Sequence, residues 1–187
     1  MSTRDRLRLV RGGPDLFVFG SLELTLADAA PFNVQGTVLE EDTFLVLGAS
    51  PGVSAPHEHP VRVITSAFTF EPLEPGSVVV RTGPPLELQA VIHDLDQEPS
   101  CREEWVARAL GGVLRACGHH GIEALATPLL GSVHHVLQVR RAALALVRAL
   151  RGDEVPGCLR RIWLRAPTEA LPVVRGWLRQ ALEQEEA

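Results

Sequence analysis

Lysine and tyrosine are missing altogether from this chain of 187 residues, so all 18 basic side chains are arginine. No catalytic lysine and no phenolic acid is therefore available. With alanine, glycine, proline and valine abundant, the bias reads as GC-rich codon usage rather than as chemistry. Cysteine is scarce: Cys101, Cys117 and Cys158 are odd in number and lack CxxC spacing, which speaks against a disulfide framework and for a reducing, cytoplasmic setting. No apolar run approaches the roughly 18 residues that suggest a membrane helix, and the opening MSTRDRLRLV has no signal-peptide h-region. Positive charge is in short supply too. A net charge of −5 gives no clustered basic surface for phosphate neutralisation, so neither nucleic acid nor membrane is expected as a partner. What remains is 45% hydrophobic and 22% charged, an ordinary globular balance. The length suits a single domain over residues 1–187 with a full core.

Two compositional halves follow one another without a linker. Residues 1–90 are rich in β-formers and turn residues, with extended segments at 16–20, 22–26, 37–39, 43–47, 61–69 and 78–81 between Gly, Pro and Asp clusters. The segment 61–69 fits a short buried helix equally well, and residues 1–40 could form an elaborated β edge. Residues 91–187 alternate strand and helix. A strand at 91–94 leads to a capping box, Ser100 with Glu103. The next helix carries Trp105, Val106, Ala109, Leu110, Val113, Leu114 and Cys117 on one face and closes at Gly118 or Gly121. A strand at 122–126, a helix at 136–151 stopped by Gly152, a strand at 159–164 and a helix at 168–183 complete the chain. Repeated β-α units imply parallel pairing with helices on the faces.

The second strand of this half ends in Thr127-Pro128-Leu129-Leu130-Gly131-Ser132. A Gly/Ser loop at the C-terminal end of a strand, ahead of a helix, is where an open α/β sheet holds phosphate-bearing ligands. A plain strand-to-helix turn uses the same residues. Val91-Ile92-His93, the helix 102–117, the strand and loop 121–132, the helix from Val136, and Pro75-Gly76-Ser77-Val78-Val79-Val80-Arg81-Thr82-Gly83 together resemble the macro domain family. In that family a VIH-like strand, a GEAVITPG-like strand and a Pro-x-Leu-Gly-Thr-Gly-like loop occur in this order.

The resemblance implies a three-layer α-β-α sandwich with a mixed, largely parallel sheet, and a pocket for ADP-ribose. Its ligand-binding residues would be Gly48, Ser50, Gly52 and Val53 in one loop and Leu130, Gly131, Ser132, Val133 and His134 in the other. The family's DAIVNAAN-like strand maps best onto residues 42–53, with Val46 or Leu47 and Ser50 at its asparagine positions. Val133 stands where a second glycine is usual. Asp42 and Asp94 are candidates to meet adenine or ribose. The acid of the family's Gly-Asp-Ile strand has no counterpart at Gly20-Ser21-Leu22 or Gly12-Gly13-Pro14.

A β-branched residue resists left-handed backbone, and a lost asparagine removes a side chain that positions ribose and water. The expected role is binding of ADP-ribose or a related nucleotide without efficient hydrolysis. Two alternatives stand beside it: an ADP-ribosyl or phosphoester hydrolase using Asp42, Asp94 or a loop histidine, and a ligand-free scaffold for a protein partner or homo-oligomer.

No cofactor and no metal site is expected. His57, His59, His119 and His120 read as solvated loop or helix-end residues, and His93 as a satisfied core histidine. His134 and His135 sit in the ligand loop itself. Cys101 and Cys117 read as inert, the paired arginines as solvated faces, and Trp105, Trp163 and Trp177 as packing residues.

Overall fold

The computed structural model describes residues 15–47, 71–134 and 136–184. The strands β1 (Asp15–Phe19), β2 (Leu22–Ala27), β3 (Gly36–Asp42), β4 (Val78–Arg81) and β5 (Leu86–His93) precede the helix α1 (Glu103–His120). Then come β6 (Ala124–Pro128), α2 (Val139–Arg151), β7 (Arg161–Arg165) and α3 (Leu171–Gln184). One sheet takes the strands in the order β1-β2-β7-β6-β3-β5-β4. The four inner pairings are parallel, and the edges β1/β2 and β4/β5 are antiparallel. This is the mixed, largely parallel α/β architecture expected.

The topology follows from handedness. The chain moves in one direction across the sheet from β5 to β6 and from β6 to β7, so right-handed crossovers put α1 and α2 in one layer. α1 packs on β4 and β5, α2 lies between α1 and α3, and α3 reaches β2. Beneath them Leu24, Val38, Leu88, Ala90, Ile92, Leu125, Ile162 and Leu164 are sealed from solvent. Each leucine, isoleucine or valine among them contributes about 1.5–3 kcal/mol by leaving water. All seven residues expected on the inner face of α1 are buried, and α1 ends at Gly121 in the left-handed conformation (φ 64°).

Several local expectations are corrected. Residues 43–47 do not form a strand. β3 runs on through Glu40, Glu41 and Asp42, and the chain then turns because Asp42 Oδ1 accepts the N–H of Phe44 (2.8 Å) and Val46 (3.1 Å). The DAIVNAAN-like strand therefore ends at Asp42 instead of starting there. The capping box is absent: Arg102, not Ser100, is the N-cap of α1, with no side-chain cap, while the Ser100 carbonyl accepts Asp94 N–H. α2 starts at Val139, so the loop after β6 is longer than expected. β6 and β7 begin two residues later than read, and β5 begins five residues earlier. The segment 61–69 lies outside the described residues. No described helix is long and apolar enough to cross a membrane.

Candidate functional site

The C-terminal ends of β3, β5 and β6 point the same way, and between β3 and β6 the sheet opens. Their ladder holds only Gly36 with Leu125 and Thr37 with Ala126. Pro128 at the end of β6 brings no N–H to extend it. The carbonyl of Val38, next along β3, instead accepts from Arg165 Nη2 (3.0 Å), which reaches over from β7. Burial holds the Arg165 guanidinium below its ordinary value. Its Nε is buried without a partner among the described residues, and its guanidinium lies 5.9 Å from the Trp163 ring centre. A crevice between splayed parallel strands, at their C-terminal edge, is the usual ligand position in such sheets.

One wall of the crevice is the loop after β6. Gly131 adopts φ +85°, and a Cβ there would lie 3.1 Å from Leu137 and 3.2 Å from Val106, so glycine is demanded by both backbone and packing. Ser132 folds back on its own turn, its N–H and Oγ both donating to the Leu129 carbonyl (3.1 and 2.6 Å). Leu130 is buried, whereas Val133 and His134 are exposed. The Gly131 N–H does not face an empty cradle: it donates to Glu40 Oε1 at 2.7 Å.

The floor is acidic. Glu40, Glu41 and Asp42 are all buried. Glu40 Oε2 lies 3.2 Å from His93 Nε2, both side chains being at most 3% exposed. His93 is thus the satisfied core histidine expected of it. The His134 ring meets the His93 ring edge to face at 5.4 Å. Ligand atoms of Glu40, His93 and His134 all lie within 4.8 Å of one another. Glu41 Oε1 accepts from Gln89 Nε2 (3.4 Å). A buried carboxylate is costly unless paired and hydrogen-bonded, and Glu40 has a partner on each oxygen.

Asp42, an adenine or ribose candidate, spends Oδ1 on the turn, and its Oδ2 is buried with no partner among the described residues. Asp94, the other candidate, accepts from Asp96 N–H (3.1 Å) and Gln97 Nε2 (2.5 Å), and so holds its own loop. Gly48, Ser50, Gly52, Val53, His57, His59 and His135 lie outside the described residues.

Cys101 bridges to His93 across the backbone. Burial, then the Glu40 charge, pushes its thiol up to about 11. Burial, then Cys158, pushes Cys117 up to about 12. Both remain neutral thiols at physiological pH, which fits the inert reading. Among the residues that line the crevice, sequence reasoning missed Glu40 and Arg165. Their only local signals were an acidic run after a β-branched pair and an Arg closing a strand.

No protein-family model matches the chain, and no curated protein sequence matches it. Solved structures do. The macrodomain of Oceanobacillus iheyensis in complex with ADP superposes with a TM-score of 0.64 at 14% identity, over 90% of this chain and 96% of that one. The Trypanosoma brucei macrodomain in complex with ADP-ribose gives 0.60 at 14% identity, over 85% and 68%. The macro domain of ganglioside induced differentiation associated protein 2 gives 0.57 at 12%, over 85% and 82%. The chain has the macrodomain fold, and at these identities the likeness concerns the fold alone.

Proposed function

We propose that the protein is a nucleotide-binding module of macrodomain fold, which takes ADP-ribose or a related nucleotide in the crevice between β3 and β6 without efficient hydrolysis. The observation that carries the reading is the early end of the β3/β6 ladder. It sets the loop 129–134 and the Arg165 guanidinium beside one crevice, on a fold whose solved neighbours include complexes with ADP and ADP-ribose. Because Glu40 already takes the Gly131 N–H, the diphosphate would rest on the outer part of the loop and on Arg165, a charge-assisted contact. Asp94 is held by its own loop, and Asp42 spends Oδ1 on the turn while its Oδ2 is buried; neither is presented to the crevice as an exposed base, which favours binding over turnover. The three cysteines are free, in keeping with a reducing cytoplasmic setting.

Calorimetry with ADP-ribose tests this. Saturable heat is expected from the wild type and should vanish in Gly131→Glu and in Val133→Glu. The second variant adds a carboxylate at an exposed loop position and leaves the packing alone. No heat at millimolar ligand would overturn the reading in favour of a scaffold for a protein partner or a homo-oligomer. Release of ADP-ribose from a modified protein would overturn the absence of hydrolysis.

A further inference from the structure

We infer that Glu40, His93 and His134 form a binding site for a divalent transition-metal ion of the zinc class. The site lies on the floor and loop of the same crevice, but its ligands are protein side chains, so metal binding needs no nucleotide. Three elements supply it: the end of β3, the end of β5 and the loop after β6. Their ligand atoms already lie within 4.8 Å of one another. Around a tetrahedral ion with bonds near 2.0–2.1 Å, donor atoms stand about 3.3 Å apart. Glu40 Oε2 and His93 Nε2 meet that spacing as they are, at 3.2 Å. His134 is exposed on a turn, so its ring has only to swing inward by about 1.5 Å to complete the set.

The cluster holds more nitrogen than a buried ion pair requires. His93 alone satisfies Glu40 Oε2. Yet a second imidazole, from an element 41 residues further on in sequence (His93 to His134), is brought edge to face against the first at the same point. The carboxylate is also oriented as a metal ligand should be. Its other oxygen accepts the Gly131 N–H at 2.7 Å, which fixes its rotamer and leaves Oε2 to turn to the ion. The His93 main chain is fixed in the same way, its carbonyl accepting Thr43 N–H (3.0 Å).

The donor set selects the ion. Two imidazoles and one carboxylate suit zinc, cobalt, nickel or ferrous iron, whereas magnesium and calcium prefer all-oxygen shells. Three protein ligands leave a further coordination position, on the open side where His134 meets solvent, for water or an exogenous anion. A bound dication would also offset much of the negative charge that Glu40, Glu41 and Asp42 place on the floor of the crevice.

Cobalt and zinc alone, with no nucleotide present, provide the test. Full-length protein stripped with a chelator is titrated with Co²⁺ and its visible d–d absorption recorded, and Zn²⁺ is then added as competitor. The expected result is a saturable spectrum of low-symmetry, four- or five-coordinate Co²⁺ that zinc abolishes. His134→Ala should weaken the affinity at least about tenfold, and His93→Asn at least as much. His134→Ala removes an exposed ring and leaves the core intact, so it decides the matter even if His93→Asn fails to fold. Absence of uptake at micromolar metal would overturn the inference. So would a wild-type affinity in His134→Ala, which would put the ion on other histidines such as His57 and His59. Failure of ADP-ribose to bind would leave this result untouched.

Discussion

Two neighbouring strand pairs are built on opposite principles. β6 and β7 pair along their whole length, from Ala124 with Arg161 to Pro128 with Arg165, and their buried side chains are aliphatic (Ala124, Leu125, Ala126, Ile162 and Leu164) apart from Thr127. β3 and β6 begin the same way and part after two residue pairs. Past that point β3 carries Glu40, Glu41 and Asp42, all buried, and their hydrogen-bond partners come from β5, the β6 loop and the turn after β3, with Asp42 Oδ2 left without one among the described residues. The first pair is stabilised by area removed from water, which is non-directional and tolerant of detail. The second depends on a small set of directed contacts, each costly to leave unmade. The sheet is thus held together beside the crevice and held open at it.

Glu40→Ala is the sharpest way to break that contrast and should have the largest effect. It strips the partner from the buried His93 ring and from the Gly131 N–H together, and should cost about 4 kcal/mol in chemical denaturation. Glu40→Gln keeps the acceptor for Gly131 and a polar partner for His93, and should recover more than half of that. A neutral Glu40→Ala would mean that the crevice floor is not a fixed polar network. Leu125→Ala, on the hydrophobic side, should cost about 3 kcal/mol. Its Cδ1 would lie 3.1 Å from a Cβ on Gly36, so the void opens at the first of the two ladder pairs. If the contrast holds, Gly36→Ala placed in the Leu125→Ala background is tolerated better than Gly36→Ala alone, because the added methyl occupies that void.

The two regions also differ in how far they can be read from sequence. Patterns with a short period were legible. The α1 face, a glycine stop at Gly118 or Gly121, the β4 strand and the parallel β-α alternation all follow from spacing within a dozen residues. The end of β3 was not. Glu40-Glu41-Asp42 has the composition of a turn, and the apolar residues 43–47 have that of a strand, so local propensity reverses the two. Tertiary partners decide otherwise: His93 lies 53 residues from Glu40, and Gly131 lies 91 residues from it. The family resemblance found the loop at Gly131 but could not show its N–H already engaged by a carboxylate from another strand. Ser100 and Glu103 failed as a capping box because the Ser100 carbonyl is drawn into the Asp94 loop instead.

Arg165 gives the smallest stability effect and the finest test of the comparison, because it belongs to both regions. It is the last residue of the well-paired β7, yet its guanidinium crosses to the Val38 carbonyl where the β3/β6 ladder has stopped. Replacing it with leucine removes a hydrogen bond from a charged donor, ordinarily a loss of about 1.5–3 kcal/mol. It also removes a cation that burial disfavours, with an Nε lacking a partner among the described residues. The two effects oppose each other, so Arg165→Leu should lower stability by only about 1 kcal/mol. Its effect on ADP-ribose binding should be disproportionate, a weakening of at least about tenfold, since the variant loses the one cation that the crevice borrows from β7. Parallel denaturation and calorimetry on this variant separate the roles. A large stability loss would make Arg165 a strut of the sheet. An unchanged affinity would remove it from the ligand's path and leave the loop 131–134 to hold the phosphates alone.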